Sequence, residues 1–328
     1  MKNRFVILWI LWTLLGVGLI YGISASDSKN SMISIIANVL SLAPLMGIML
    51  ALGSVKAFSR FNDWLHRDPN SHYYVAGTIS LLFMLPGVLL FKFDPYFSVI
   101  FSVIVFAVLG ILKQAKEQEF ILTWTDLLLW MVLWIPFDLR WYMGMLPAGS
   151  DSYAWFSVAL SVIAIIGWNG YRGAGIGYNL VPKLKDFRIV GISMVLIMAF
   201  VVPPGLLTGF LTFSIPQSYN IPKLIFQFIG LFLTVALPEE LFFRGILLGG
   251  MEKMFSKKWI PLVISSLAFG LMHWNNVNTL STQITYVSLA AVAGVGYGWA
   301  YRKSGNNLIA AILVHTLVDW TWRLFLTT

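Results

Sequence analysis

The chain has no cysteine, which excludes disulfides, thiolate metal sites and a cysteine nucleophile. It is also poor in charge. Asp, Glu, Lys and Arg make up 11% of its 328 residues, against about 25% in a soluble globular domain. No internal repeat of fixed period is present, and no stretch reads as a soluble domain. In their place stands grease: 58% of the residues are hydrophobic and the mean hydropathy is +0.80. A surface so short of polar groups cannot be solvated by water alone, so the expected fold is an all-α polytopic transmembrane bundle.

Runs long enough to cross a bilayer, roughly 17 to 25 residues, fall at about 5–24, 32–53, 73–92, 96–112, 121–137, 153–169, 188–209, 223–250, 259–277, 284–301 and 307–326. These eleven segments sort the 22 basic residues unevenly. One side takes Lys2, Arg4, Lys56, Arg60, Arg67, Lys113, Lys116, Arg172, Lys183, Lys185, Arg188, Lys253, Lys257, Lys258, Arg302 and Lys303. The other takes Lys29, Lys92, Arg140, Lys223 and Arg323, and Arg244 falls within a segment. The positive-inside rule then predicts a multi-pass protein of the cell membrane with its N-terminus cytoplasmic and its C-terminus external. The net charge of +8 is therefore a topology signal aided by anionic lipid, and nucleic acid is not an expected partner. Residues 1–25 are expected to be a retained helix. Their apolar part, about 20 residues, is longer than the 7 to 15 of a cleaved signal peptide.

The longest polar connections are about 54–72, 138–152 and 170–187. The third carries Gly173, Gly175 and Gly177, which resemble a nucleotide loop only superficially, because no strand precedes them. A solvated cytoplasmic loop is expected there, and His66 and His72 are expected as bystanders in the first connection. Residues 1–187 are expected to form N-terminal helices of unassigned role, and 188–328 a second domain that holds nearly all the intramembrane ionisable groups. Prolines 44, 86, 136, 203, 204 and 238 lie inside apolar segments, where membranes tolerate them if neighbours satisfy the freed carbonyls.

Three polar clusters interrupt the second half. "PEELFFRGIL" (238–247) puts Glu239, Glu240 and Arg244 into a segment otherwise built for hydrocarbon, where each charge costs about 2.5 to 3.5 kcal/mol or more. Glu240 and Arg244 are four apart, the favourable order for a helical ion pair. Glu239 lies about 100° around the helix, so one carboxylate reads as structural and the other as available. "FGLMH" pairs Phe269 with His273, and "HTLVD" pairs His315 with Asp319, again four apart. Counted at about 1.5 Å per residue from the expected cytoplasmic ends, Glu239 lies roughly 18–20 Å deep, His273 about 21 Å, His315 about 13 Å and Asp319 about 20 Å. Singly, each group could be helix–helix glue. Three helices placing polar groups in one layer make a candidate site.

Read in series as EExxxR, FxxxH and HxxxD, these residues resemble the CPBP (CAAX protease and bacteriocin-processing, or Abi) family of intramembrane proteases. The resemblance covers about residues 190–326. It implies a glutamate-dependent endopeptidase acting on membrane-associated peptides or proteins, with Glu239 as general base and His273 as its partner in activating water. His315 and Asp319 would stabilise the oxyanion, and Glu240, Arg244 and Phe269 would support the site. Where the family pattern often ends in asparagine, this chain has Asp319, which cannot donate a hydrogen bond when ionised. A hydrated cavity between the helices is expected, and no cofactor. Zinc is the alternative, since two His and a Glu can bind it, although HExxH is absent. Rival readings are a proton-coupled transporter relaying through Glu239, His273, His315 and Asp319, and a non-catalytic membrane regulator. Against the transporter, the first half lacks the matching groups that an inverted repeat would supply. Other intramembrane protease types lack their signatures: no GxSxG-like nucleophile faces a histidine within a segment, and no GxGD occurs.

Overall fold

A computed structural model describes residues 4–26, 31–115, 120–215 and 220–327. It divides into two compact units, residues 1–120 with 124–175, and 121–123 with 176–328. The first holds α1 (Arg4–Ser26), α2 (Met32–Leu52), α3 (Val55–Arg67), α4 (Ser71–Leu89), α5 (Pro95–Gln114), α6 (Trp124–Asp138) and α7 (Ser152–Tyr171). The second holds α8 (Leu184–Leu207), α9 (Ile221–Met251), α10 (Trp259–Leu271), α11 (Leu280–Lys303) and α12 (Leu308–Phe325). The only strands among the described residues are β1 (Thr212–Phe213) and β2 (Leu326–Thr327), an antiparallel pair. The all-α polytopic bundle stands, with one helix more than expected. That helix is α3, inside the connection read as polar loop.

Helix starts follow local chemistry. Ser31 accepts from Ser34 N at 3.2 Å, Asp94 from Tyr96 N at 2.9 Å with Pro95 next in line, and Asp151 from Ala154 N at 3.0 Å. Each satisfies one amide that a helix leaves open. Prolines 44, 86, 136, 203, 204 and 238 all lie inside helices. Close approach of α1 to α2 depends on Gly47, where any Cβ would meet Thr13 and the Trp9 carbonyl.

Eight helices are long and apolar enough to cross a membrane: α1, α2, α4, α5, α7, α8, α9 and α12. Three expected segments need correction. At 15 residues α6 is short. Helix α10 has 13 residues, about 20 Å, and ends well short of a 30 Å hydrocarbon layer. Helix α11 has 24 residues but is rich in glycine, serine, threonine and tyrosine.

The solvated character expected of two connections holds only in part. His72 opens α4 and its Nδ1 lies 3.1 Å from Lys113 Nζ; His66 is on α3 and exposed. In the third connection Arg172 is 1% exposed and pairs with Asp126 at 3.2 Å. Asp126 also accepts from Trp168 Nε1 at 3.1 Å. Burial of both charges together, over the Phe120 ring at 5.3 Å from the guanidinium, answers the desolvation that either alone would suffer. Gly177 has φ +72°, and its carbonyl accepts from Leu308 N at 3.0 Å, so this stretch is pinned to the start of α12.

Within the second unit the ends of the helices are fixed by side-chain and backbone hydrogen bonds. Arg302 joins Glu252 at 2.6 Å and the Lys258 carbonyl at 2.6 Å, gathering the end of α9, the start of α10 and the end of α11. At the opposite end Trp320 donates to the Leu224 carbonyl at 3.3 Å, and Ser214 N to the Phe325 carbonyl at 2.9 Å. The first end carries Lys183, Lys185, Arg188, Lys253, Lys257, Lys258, Arg302 and Lys303; the second has Lys223 and Arg323.

Candidate active site

Helix α9 carries the two glutamates, and its backbone is unusual there. Phe232–Ala236 and Leu241–Leu248 are π-helical, with α-helical Leu237–Glu240 between them. Leu237 N donates five residues back to the Phe232 carbonyl. Pro238 supplies the cause: it has no N–H to give and its ring crowds the preceding turn. The helix widens locally instead of breaking, a distortion common at functional sites.

Glu240 is wholly buried at 0% exposure. Its Oε1 accepts from Arg244 NH1 at 2.9 Å and lies 2.7 Å from His315 Nδ1. An acceptor already bonded to a guanidinium takes a proton from its second partner too, so Nδ1 of His315 carries hydrogen. Arg244 reaches further, donating from NH2 to the Gly294 carbonyl at 3.0 Å. Its guanidinium sits over the rings of Phe269 at 4.5 Å and Tyr297 at 5.2 Å, favourable cation–π geometry in a desolvated place.

His315, on α12, is held in every direction. Tyr297 stacks on it at 4.5 Å and 13°, and Phe269 meets it edge-on at 5.6 Å and 85°. With Nδ1 occupied, Nε2 faces two carboxylates: Asp319 Oδ2 at 3.6 Å and Glu239 Oε2 at 3.7 Å. These two side chains are the accessible ones, 18% exposed for Glu239 and 30% for Asp319.

His273 follows the end of α10, where the chain leaves the helix for a 3₁₀ turn at Trp274–Asn276. Its Nδ1 lies 3.0 Å from the Phe269 carbonyl. A carbonyl can only accept, so Nδ1 donates and Nε2 keeps a free lone pair. The ring packs on Phe269 at 4.9 Å and Tyr286 at 5.0 Å. His273 makes no ion pair with either glutamate among the described residues; His315 is the imidazole beside Glu239. Helix α10 is too short to cross the hydrocarbon layer, and non-helical backbone at membrane depth is tolerated only where protein or a wet cavity lines it.

Three groups that sequence reasoning passed over complete the site. Tyr297 orients both His315 and Arg244. Gly294 gives Arg244 its carbonyl, and a Cβ there would come within 3.1 Å of the guanidinium and 3.3 Å of Phe269. Tyr286 backs His273 and is itself stacked by Trp322 at 6.0 Å. The signal was present as "AGVGYGW" (293–299), small residues around one aromatic in a helix otherwise read as mere apolar span. Among the described residues no group of three His, Asp or Glu side chains could hold a metal ion.

The fold and site define a multi-pass helical membrane protein with a carboxylate–imidazole centre assembled from α9, α10 and α12. Residues 221–321, which contain all seven residues of the three motifs, match the family model described as type II CAAX prenyl endopeptidase Rce1-like. That part of the chain is similar to this CAAX-type protease family, a finding consistent with the CPBP resemblance. No curated protein and no solved structure matches the chain.

Proposed function

We propose that the protein is an intramembrane endopeptidase that hydrolyses peptide bonds of membrane-associated peptides or proteins with water activated by Glu239. The observation that carries this reading is the His315 imidazole, locked through Nδ1 to Glu240 while Nε2 faces two accessible carboxylates on different helices. A merely structural histidine has no use for a second and third acid.

Hydrolysis assigns each group a task. Glu239 takes a proton from water as its oxygen attacks the scissile carbonyl carbon. The free Nε2 of His273 orients that water. The carbonyl π electrons move to oxygen, and the resulting oxyanion accepts a hydrogen bond from His315, which offers one only with Nε2 also protonated. Asp319 stands beside that proton and balances its charge. Glu239 then returns its proton to the amide nitrogen, the C–N bond breaks, and an acid and an amine leave. A base for water, a donor for the leaving amine and a fixed donor for the oxyanion are what amide hydrolysis requires. Glu240 and Arg244 keep the imidazole in register and touch no reacting atom.

The centre is proposed to work without a metal, and water to reach it through a hydrated gap between α9, α10 and α12. The cell membrane is the proposed location, with the lysine- and arginine-rich helix ends in the cytoplasm. The family model's name points to prenylated CAAX tails as one substrate class, and the proposal stays with the broader class of membrane-associated peptides. The test is membrane-peptide proteomics of cells carrying wild type or Glu239→Gln at equal abundance. Cleavage products should vanish with the variant; an unchanged peptide set overturns the reading.

A further inference from the structure

Helix α3 stands apart from the other helices of the first unit. Its 13 residues, VKAFSRFNDWLHR, extend about 20 Å, too short to cross the membrane. Its neighbours pin it to one end of that unit. The Phe5 ring at the start of α1 lies 4.9 Å from Phe61. Beyond α3's C-terminus, Lys113 at the end of α5 donates to the Pro69 carbonyl, and Tyr171 OH at the end of α7 donates to Ser71 Oγ at 3.0 Å. The helix therefore lies at the ends of α1, α5 and α7, and in helices long enough to span, those ends reach the headgroup layer.

Its faces are sharply divided. Ala57 and Leu65 are fully buried, and Phe58 and Phe61 half-buried, so the apolar side packs on the unit itself. At about 100° per residue, Lys56, Arg60 and Arg67 fall within roughly 40° of one another, forming a single basic stripe. Trp64, 36% exposed, borders it. Lys56 and Arg67 are exposed, and none of the three cations has an ion-pair partner among the described residues. Arg4, exposed at the start of α1, lies at the same end.

We propose that the Lys56–Arg60–Arg67 stripe, with Arg4 beside it, binds the phosphates of anionic phospholipid headgroups in the leaflet at that end. Unpaired cations at headgroup height meet their complement there, and the flanking tryptophan prefers the same layer. Guanidinium groups suit the ligand because they take phosphate oxygens two at a time. Asp63, at the edge of the stripe, limits the attraction.

Native mass spectrometry of the full chain in neutral detergent, with phosphatidylglycerol and phosphatidylcholine in equal amounts, tests this. The wild type should retain phosphatidylglycerol preferentially. The K56Q/R60Q/R67Q variant should lose that preference by about tenfold or more, since each basic residue contributes on the order of a fivefold attraction. Asp63→Asn should move it the other way, which a folding defect in the triple variant could not imitate. Inorganic phosphate at the same concentration as the lipid should leave the preference unchanged. Equal retention by wild type and triple variant overturns the proposal, and so does displacement of the lipid by free phosphate.

Discussion

Arg244 meets four partners at once: the Glu240 carboxylate, the Gly294 carbonyl, and the faces of Phe269 and Tyr297. Losing it would leave Glu240 buried with only the His315 imidazole as partner, and breaking a buried ion pair costs about 3 to 5 kcal/mol. Arg244→Met should accordingly lower the melting temperature by about 10 °C. Adding Glu240→Gln should recover part of the loss, because the stranded charge goes with it while an acceptor for His315 stays. If the double variant is no more stable than Arg244→Met alone, the pairing is not what holds this region. Tyr297 makes a subtler claim, as it stacks on His315, the proposed oxyanion donor, and has no assigned step of its own. Tyr297→Phe should keep near-wild-type activity. Tyr297→Leu should forfeit about 0.5 to 1.5 kcal/mol of ring–ring contact and slow turnover more than it raises KM. The motif residues were legible because a four-residue spacing on a helix states which side chains share a face. The reach of Glu240 to His315, 75 residues on, was not, because no local spacing encodes a contact between helices. Nor did composition separate His273 from His315 as the imidazole nearer Glu239.

At the scale of elements, the region around Pro238 controls where the glutamates point. One π-helical stretch lies on each side of Leu237–Glu240, so the angular position of Glu239 depends on a backbone register that an ordinary α-helix would not keep. Pro238→Ala restores the missing N–H and removes the clash, inviting i→i+4 bonds to re-form. The protein should remain folded with an equal or higher melting temperature. Its activity should nevertheless fall by about 100-fold, the usual effect of displacing a catalytic group by an ångström or so. Unchanged turnover in a variant whose helix has been shown to straighten would mean that the widened backbone is incidental. The sequence announced a proline in this helix; whether a proline kinks, breaks or widens a helix is decided by its packing neighbours. Helix α3 was missed for a related reason. Charge content marked 54–72 as polar connection, while the phase of its apolar residues, Ala57, Phe58, Phe61 and Leu65 on one face, carried the helical signal.

For the whole molecule, the division of charge between helix ends is the largest asymmetry. In the second unit eight cations collect where α8 and α12 begin and α9 and α11 end, and Lys223 and Arg323 alone sit opposite. If that basic end is cytoplasmic, the β1–β2 ribbon and the end of α12 are external, an orientation that depends on α8, α9 and α12 crossing the membrane. The absence of cysteine makes the point easy to examine, because any thiol introduced is the only one present. Ser256 is exposed at the basic end and Ser214 at the opposite end. On intact cells a membrane-impermeant maleimide should label Ser214→Cys and spare Ser256→Cys until the membrane is permeabilised. The reverse pattern would invert the topology, and labelling of both in intact cells would mean that the chain does not span as the charges indicate. Chelation probes the same molecule at its chemical centre. Excess EDTA should leave peptide cleavage within about twofold of the untreated rate, because the proposed route from water to oxyanion uses only Glu239, His273, His315 and Asp319, whereas a required zinc ion would supply both the activated water and the Lewis acid. Loss of activity on chelation, restored by added zinc, would transfer the water from Glu239 to a metal and recast the two histidines as ligands.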